Sequence, residues 1–455
     1  MGILNPANLK KTIYYLKRNG PVDTIRAMRE RIADRNIRYT YEAPSKEELF
    51  VQQKNAENAA LKISIAVPAY RTPKKYLSEL IESCLSQSYK NFELLIGDAS
   101  SADSDENEDS VRQAVNSYND SRIRYIALTK NDGISENTNR LIEAAEGDYI
   151  ALLDHDDLLT LDALYEMANA VKDLGKLPIM VYSDEDKCDG DGNVFYEPNF
   201  KPDFNLDMLL TNNYICHFLM VRSDVMKRLK LRKSFDGAQD YDLVLRCVTE
   251  AEDFSEIRHV GKVLYHWRCH EASTAVNPLS KTYAYEAGKR ALQEFADRSG
   301  FRAKALHSKH LGFYELKYEG NIFGSRGDRF VPAAVGGRLI ENGKVVAGAF
   351  DENGNVVDFG LPKGFSGYMH RGVLPKDVCG LDIRCIKVNP LYHDLFKEVT
   401  GFEYREKDGI FDYSSFMGNF DEAYIKEMSL KLSKALIDTK KDSILLYLPI
   451  TDLDF

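Results

Sequence analysis

Residues 149–157 read Tyr149-Ile150-Ala151-Leu152-Leu153-Asp154-His155-Asp156-Asp157, a short apolar run followed at once by three acids and a histidine. A run this brief with polar residues behind it is a buried strand rather than a helix, which needs more length. Acids gathered just past a strand end suggest a metal. The competing reading makes them caps of a helix starting near Leu161. Capping takes one acid, and three are present, so the metal is favoured.

Toward the N-terminus the same strand, turn and helix rhythm recurs. Ile63 to Val67 is an apolar run ending at Pro68, and a helical pattern follows through Leu77, Leu80, Ile81 and Leu85. Phe92 to Ile96 is a second strand that breaks at Gly97. Ile123 to Leu128 is a third, and a helix through Leu141 and Ile142 stops at Gly147. Strands alternating with helices predict an α/β fold, a Rossmann-like, mostly parallel sheet with helices on both faces. In such sheets ligands sit beyond the carboxyl ends of the strands. The four turns there are polar: Pro68 to Arg71, Asp98 to Ser101, Asn131 to Gly133 and Asp154 to Asp157. None is a Walker loop or a glycine-rich dinucleotide fingerprint.

At 455 residues the chain exceeds one ordinary core. Three parts are expected: a basic helical segment over 1–60, the α/β domain over 61–300, and a smaller C-terminal α/β domain over 301–455. No apolar run approaches the ~20 residues needed to cross a bilayer. Seven cysteines, scattered and without metal-ligand spacing, fit a reducing cytoplasm. The net charge of −10 is uneven: residues 1–40 carry nine Lys or Arg against three acids. No nucleic-acid partner is expected of a chain so acidic elsewhere. The basic segment, with apolar Ile13, Leu16, Ile25 and Met28, reads either as a helix on an anionic membrane surface or as an ordinary helix with a solvated basic face.

Four turns in register carry a resemblance: Val67-Pro68-Ala69-Tyr70, Asp98-Ala99-Ser100, Asn131-Asp132-Gly133 with Asn139, and Leu153-Asp154-His155-Asp156-Asp157. Together they resemble the nucleotide-sugar half of family-2 glycosyltransferases of the GT-A fold. The likeness continues through Tyr182 to Lys187, Asn213-Tyr214-Ile215-Cys216-His217, Gln239-Asp240-Tyr241-Asp242 with Arg246, and Tyr265-His266-Trp267-Arg268 with His270 and Ser273. This set is similar to enzymes of bacterial surface polysaccharide assembly, rhamnosyltransferases among them. Two positions depart from the pattern: Gly97 where an acid is common, and Arg71 where Asn is common.

The resemblance implies an inverting transferase that moves a sugar from a nucleoside diphosphate, UDP- or dTDP-linked, to a glycan acceptor on a lipid, at the inner face of the cell membrane. Asp154 and Asp156 would hold Mn²⁺ or Mg²⁺ against the leaving diphosphate, with His270 or His266 completing the shell. Asp240 would be the base, and Asp242 a structural contact. Pro68, Ala69, Tyr70, Asp98, Ser100, Gly133, Asn139 and His155 would line the donor, and Arg268 would close over its phosphates. Asp184, Asp186 and His217 would face the acceptor.

After residue 300 these motifs do not recur. Leu381 to Gly401 loosely echoes Tyr214 to Leu229, so the C-terminal part is expected to be either a degenerate acceptor-side repeat of the GT-A domain or an unrelated module. The rival functions are a nucleotidyltransferase, which would place a basic glycine-rich loop after the first strand, and a catalytically inactive nucleotide-binding scaffold.

Overall fold

The computed structural model describes residues 6–34, 39–100, 110–172, 176–270, 282–416 and 420–449. They separate into two compact units, and the division is not collinear with the chain. One holds residues 38–204 and 213–295; the other holds residues 1–37, 205–212 and 296–455.

The first unit is built on a nine-stranded sheet among the described residues. Its strands are β1 (Ile63–Ala69), β2 (Phe92–Asp98), β3 (Ile123–Ala127), β4 (Tyr149–Leu152), β5 (Leu158–Leu159), β6 (Met180–Cys188), β7 (Phe195–Asn199), β8 (Leu219–Arg222) and β9 (Ile257–Arg268). Their order is β3-β2-β1-β4-β8-β6-β9-β5, with β7 on β6. β1, β2, β3 and β4 are parallel, as expected from the alternation. Beyond β4 the sheet becomes mixed: β8 runs antiparallel to β4 and β6, and β9 parallel to β6.

β1 and β2 are buried along their whole length. That is the pattern of strands covered on both faces, which is why they read as mainly apolar runs, interrupted by Ser64 and Glu93, which bond each other at 2.6 Å. Ile63, Ile65, Val67, Leu94 and Ile96 share a core with Leu77, Leu80 and Ile81 of helix Lys74–Leu85. Helix Ile134–Ala144 buries Leu141 and Ile142. A Cβ built on Gly97 would lie 2.6 Å from Leu141 Cδ2, so the helix leaves no room there for the acid that the resemblance suggests. Chain order reverses at β1: β2 and β3 lie to one side and β4 to the other, opening a crevice at the carboxyl ends of β1 and β4.

The second unit contains helix Pro6–Asp34, which is broken at Gly20 with φ 79°. Its sheet orders Lys376–Asp377, Leu445–Tyr447, Ala334–Gly336 and Ile386–Val388. Leu381, Ile386, Phe396, Phe411, Leu432 and Leu445 form its core. Residues 205–212 are tied into this unit by buried polar contacts. The Asn205 amide bonds the backbone of Asp377 in both directions, at 2.8 and 2.9 Å, and Arg326 pairs with Asp207 at 2.9 Å. Among the described residues no helix is long and apolar enough to cross a membrane.

Candidate active site

At the end of β1, Pro68 and Ala69 are buried and Tyr70 is exposed, with the Arg71 guanidinium 5.1 Å from the Tyr70 ring centre. Arg71 takes φ 50°, and its N–H donates to Ser100 Oγ at 2.9 Å. Asp98, the last residue of β2, is fixed in orientation. One oxygen accepts from Ser100 N and Oγ at 2.8 and 2.7 Å, the other from Tyr125 Oη at 2.7 Å. The turns after β1 and β2 thus form one rigid corner beside the crevice.

Two donor-side candidates are engaged elsewhere. Gly133 precedes helix Ile134–Ala144 with φ 96°, and a Cβ there would meet Asp236 Oδ2 at 2.9 Å. Asp236 occupies that helix end and accepts from Ser135 Oγ at 2.5 Å. Only glycine tolerates this φ without strain. Asn139 is buried, and its amide bonds Leu231 twice, Nδ2 to the carbonyl and Oδ1 from the N–H, both at 2.8 Å. It clamps two segments together.

After β4, Asp154 and Asp156 diverge. Asp154 is open, its Oδ2 3.8 Å from His217 Nε2. Asp156 Oδ2 lies 2.9 Å from His270 Nε2, and His270 stacks on Tyr76. His155 Nδ1 sits 3.9 Å from Asp156. Asp157 is buried, accepting from Tyr265 Oη and, at 2.7 Å, from Arg268 N. Burial, then the charges of Asp156 and Asp154, push its carboxyl well above the usual range. The next helix is Ala163–Asn169, preceded by Asp162, so none of the three acids caps it.

Of the two candidate histidines, His270 reaches Asp156, whereas His266 is turned to the opposite side of β9. There its Nδ1 pairs with Asp186 Oδ1 at 2.5 Å, against the edge of the Tyr41 ring. Arg268 corrects an expectation. It is fully buried, Nε donating to the Asp156 carbonyl at 2.6 Å, one terminal nitrogen to the Gly190 carbonyl at 3.0 Å, and the other 2.7 Å from Glu79. It braces the acidic turn from beneath and has no open face for a phosphate.

The acceptor-side expectation for Asp184 and Asp186 also changes. Side chains alternate along a strand, and on β6 these two acids turn away from His217. Asp184 accepts from His259 at 2.8 Å and from Lys201 N at 2.7 Å, while Asp186 accepts from His266 and from Tyr39 at 2.7 Å. Glu185, between them, turns the other way. Its Oε2 meets His217 Nδ1 at 3.0 Å and Lys201 Nζ at 3.5 Å, and its Oε1 accepts from Asn199 at 3.1 Å. Burial opposes ionisation of Glu185, but Lys201 and His217 outweigh it and bring the carboxyl down to about 2. The period-two pattern was the sequence signal for Glu185, since any strand placing Asp184 and Asp186 together turns Glu185 to the other face.

His217 is the hub. Its ring lies flat on Tyr265, centroids 4.6 Å apart and planes 8° apart. Burial disfavours the imidazolium, but its neighbours Cys216 and Glu185 carry its pKa well above the usual value. Cys216 Sγ lies 3.5 Å from both His217 Nε2 and Asp240 Oδ2, so the thiol links Asp240 to the imidazole that Asp154 approaches to 3.8 Å. Asp240 stands in the first turn of helix Gln239–Glu250 and accepts from Asn213 Nδ2 at 2.8 Å. Burial raises its carboxyl. Asp242 is ion-paired with Arg232 and Arg246 in the interior, a structural contact as the motif suggested. Ser273 lies outside the described residues.

A sheet of this topology, with an acidic turn at its switch point and a second carboxylate across the cleft, is the GT-A arrangement of glycosyltransferases. Residues 64–230 match the model described as Glycosyl transferase family 2. An uncharacterized glycosyltransferase of Haemophilus influenzae is 30% identical over 192 residues, covering 42% of this chain and 73% of that protein. The chain belongs to glycosyl transferase family 2. It is also similar to the uncharacterized protein y4gI of Sinorhizobium fredii, 40% identical over 52% of this chain and 26% of that protein. The O-antigen biosynthesis protein RfbC of Myxococcus xanthus is 35% identical over 56% of this chain and 20% of that protein. The chain therefore matches about a quarter or less of the length of these last two relatives.

Proposed function

We propose that this chain is an inverting, metal-dependent glycosyltransferase that moves a sugar from a UDP- or dTDP-linked donor to a glycan hydroxyl in the synthesis of a bacterial surface polysaccharide. The observation that carries it is the placing of two carboxylates about His217, Asp154 at the strand end 3.8 Å from the imidazole and Asp240 on a helix, linked to it through the Cys216 thiol.

The donor nucleotide is assigned to the corner made by Pro68, Ala69, Tyr70, Asp98 and Ser100, whose turn Asp98 fixes through Ser100 and Tyr125. Asp156 and His270, 2.9 Å apart, have the separation of two donors around one cation. Among the described residues no three metal-binding side chains cluster. Mg²⁺ or Mn²⁺ takes one or two protein carboxylates and completes its shell with substrate phosphates and water. Held there, the cation would neutralise charge on the departing diphosphate, with Asp154 turning in from the same acidic turn. Asp157 and Arg268 keep the turn in place from beneath.

Asp240 takes the proton of the attacking hydroxyl as oxygen bonds to the sugar carbon from the face opposite the phosphate. Its carboxyl, raised by burial, is a stronger base than an exposed aspartate. His217 is held in place by Glu185 and stacked on Tyr265, beside Asp154.

The acceptor is assigned to a lipid-linked glycan at the inner face of the membrane. On helix Pro6–Asp34, Ile13, Leu16, Val22, Ile25 and Met28 are exposed, which suits contact with a lipid surface bearing acidic headgroups. Release of nucleoside diphosphate from a panel of nucleotide sugars, with and without Mn²⁺, tests the function. Metal-dependent release from at least one donor is expected; no release from any would favour the inactive scaffold.

A further inference from the structure

We propose that Trp267 is the stacking platform of an acceptor subsite, taking the apolar face of a pyranose ring next to the hydroxyl that reacts. The inference rests on the glycosyltransferase reading of the site and names the surface that receives its second substrate.

Placement carries the argument. Alternation along β9 puts Tyr265 and Trp267 on one face, with His266 and Arg268 on the other. Tyr265 lies under His217, and Trp267 is the next residue on that face toward the strand's carboxyl end, its ring centre 5.9 Å from the imidazole and inclined at 51°. The indole therefore borders the imidazole that lies 3.8 Å from Asp154 and is linked to Asp240 through the Cys216 thiol.

The acceptor assignment follows from the neighbour the indole borders: Cys216 Sγ links His217 to Asp240, the residue to which the base role is assigned, at 3.5 Å on each side. A pyranose resting on Trp267 beside His217 is placed to present a hydroxyl toward that carboxylate.

Chemistry supplies the ligand class. An indole is a broad apolar surface with a negative π face, and sugar-binding sites pair such walls with a few polar groups that fix orientation. Trp267 is only partly buried. Directly opposite on β6, Lys187 holds its ammonium 5.7 Å from the ring centre, and Glu197 pairs with it at 2.6 Å. The ammonium lies over the ring, so a pyranose on the indole shares the surface with this pair and meets a donor and an acceptor for its hydroxyls there.

Trp267 is the chain's one tryptophan, so its emission reports this position alone. The full chain, saturated with UDP and Mn²⁺, is titrated with di- to tetrasaccharides containing rhamnose, glucose, galactose, N-acetylglucosamine or N-acetylgalactosamine. At least one should quench or shift the emission saturably. In transfer to that saccharide, Trp267→Ala should raise acceptor KM at least about tenfold while donor KM moves less than about threefold, and Trp267→Phe should restore most of the loss. Emission unchanged by every saccharide, or an unchanged acceptor KM in Trp267→Ala, overturns the subsite. Metal-dependent donor hydrolysis by the wild type is measured alongside. Its absence would sink the glycosyltransferase reading itself, whereas normal hydrolysis without a saccharide response sinks the platform alone.

Discussion

Glu185→Gln exchanges a buried carboxylate for a neutral amide of the same shape, beneath His217 and beside Lys201. In the wild type the carboxyl lies at about 2 against an ordinary 4.5. At about 1.4 kcal/mol per pH unit, that gap corresponds to roughly 3 kcal/mol of stability. A depressed carboxylate stabilises the fold above its unfolded-state value, so the contribution is full at pH 7 and is lost as pH falls from 4.5 through 2. The amide leaves the Lys201 ammonium among carbonyl oxygens of Ile215 and His217 with no counter-charge at this position. Breaking a buried pair from one side costs about 3–5 kcal/mol, which agrees with the first figure. Urea unfolding followed by tryptophan emission reads the unit that contains both Trp267 and Glu185. The wild type should exceed the variant by about 3 kcal/mol at pH 7, and the difference should shrink toward pH 3. A difference below about 1 kcal/mol at pH 7, or one that stays flat with pH, would refute the ion-pair account.

The other expectations follow the same contacts. Asp157→Ala leaves Tyr265 Oη and Arg268 N without their acceptor and should cost about 2–4 kcal/mol, whereas Asp157→Asn accepts from Arg268 N through its oxygen and donates its amide to Tyr265 Oη, and should cost less than about 1, read by the same titration. Asn139→Leu removes two buried bonds to Leu231 and should lower stability by about 2 kcal/mol with donor affinity unchanged by calorimetry; a loss of donor affinity at full stability would return Asn139 to the nucleotide. Asp156→Ala should abolish the Mn²⁺ dependence of nucleotide binding while stability moves by about 1 kcal/mol or less, and equal nucleotide affinity with and without Mn²⁺ in the wild type would remove the cation from the account.

The parallel half of the sheet was legible because β1, β2 and β4 are covered on both faces and therefore spell mainly apolar runs, with Ser64 and Glu93 as buried exceptions. The acids at 154, 156 and 240 were legible as residues, since carboxylates at strand and helix ends announce themselves. Which neighbours they meet was not. Motif spacing could not separate His266 from His270, because the two are four positions apart across the end of β9, and the strand's alternation turns His266 to Asp186 while the chain beyond brings His270 to Asp156. The same alternation puts Glu185 rather than Asp184 or Asp186 beside His217, and reading it requires knowing which face of β6 is the site. Arg268 looked like a phosphate ligand because an arginine after a strand often is one; its burial under the acidic turn depends on Glu79 and Gly190, distant in sequence. The passage of residues 205–212 into the second unit rests on partners at 326 and 377 that no local pattern marks.

Asp240→Asn tests the central claim most directly, because it separates the proton transfer from everything else the site does. The amide still accepts from Asn213, and because burial raises the native carboxyl, removing the charge should leave stability at pH 7 unchanged or improved. Sugar transfer should fall by about 10²- to 10⁴-fold while donor affinity, titrated on the same purified variant, stays within about threefold. Near-normal transfer by Asp240→Asn would contradict the account.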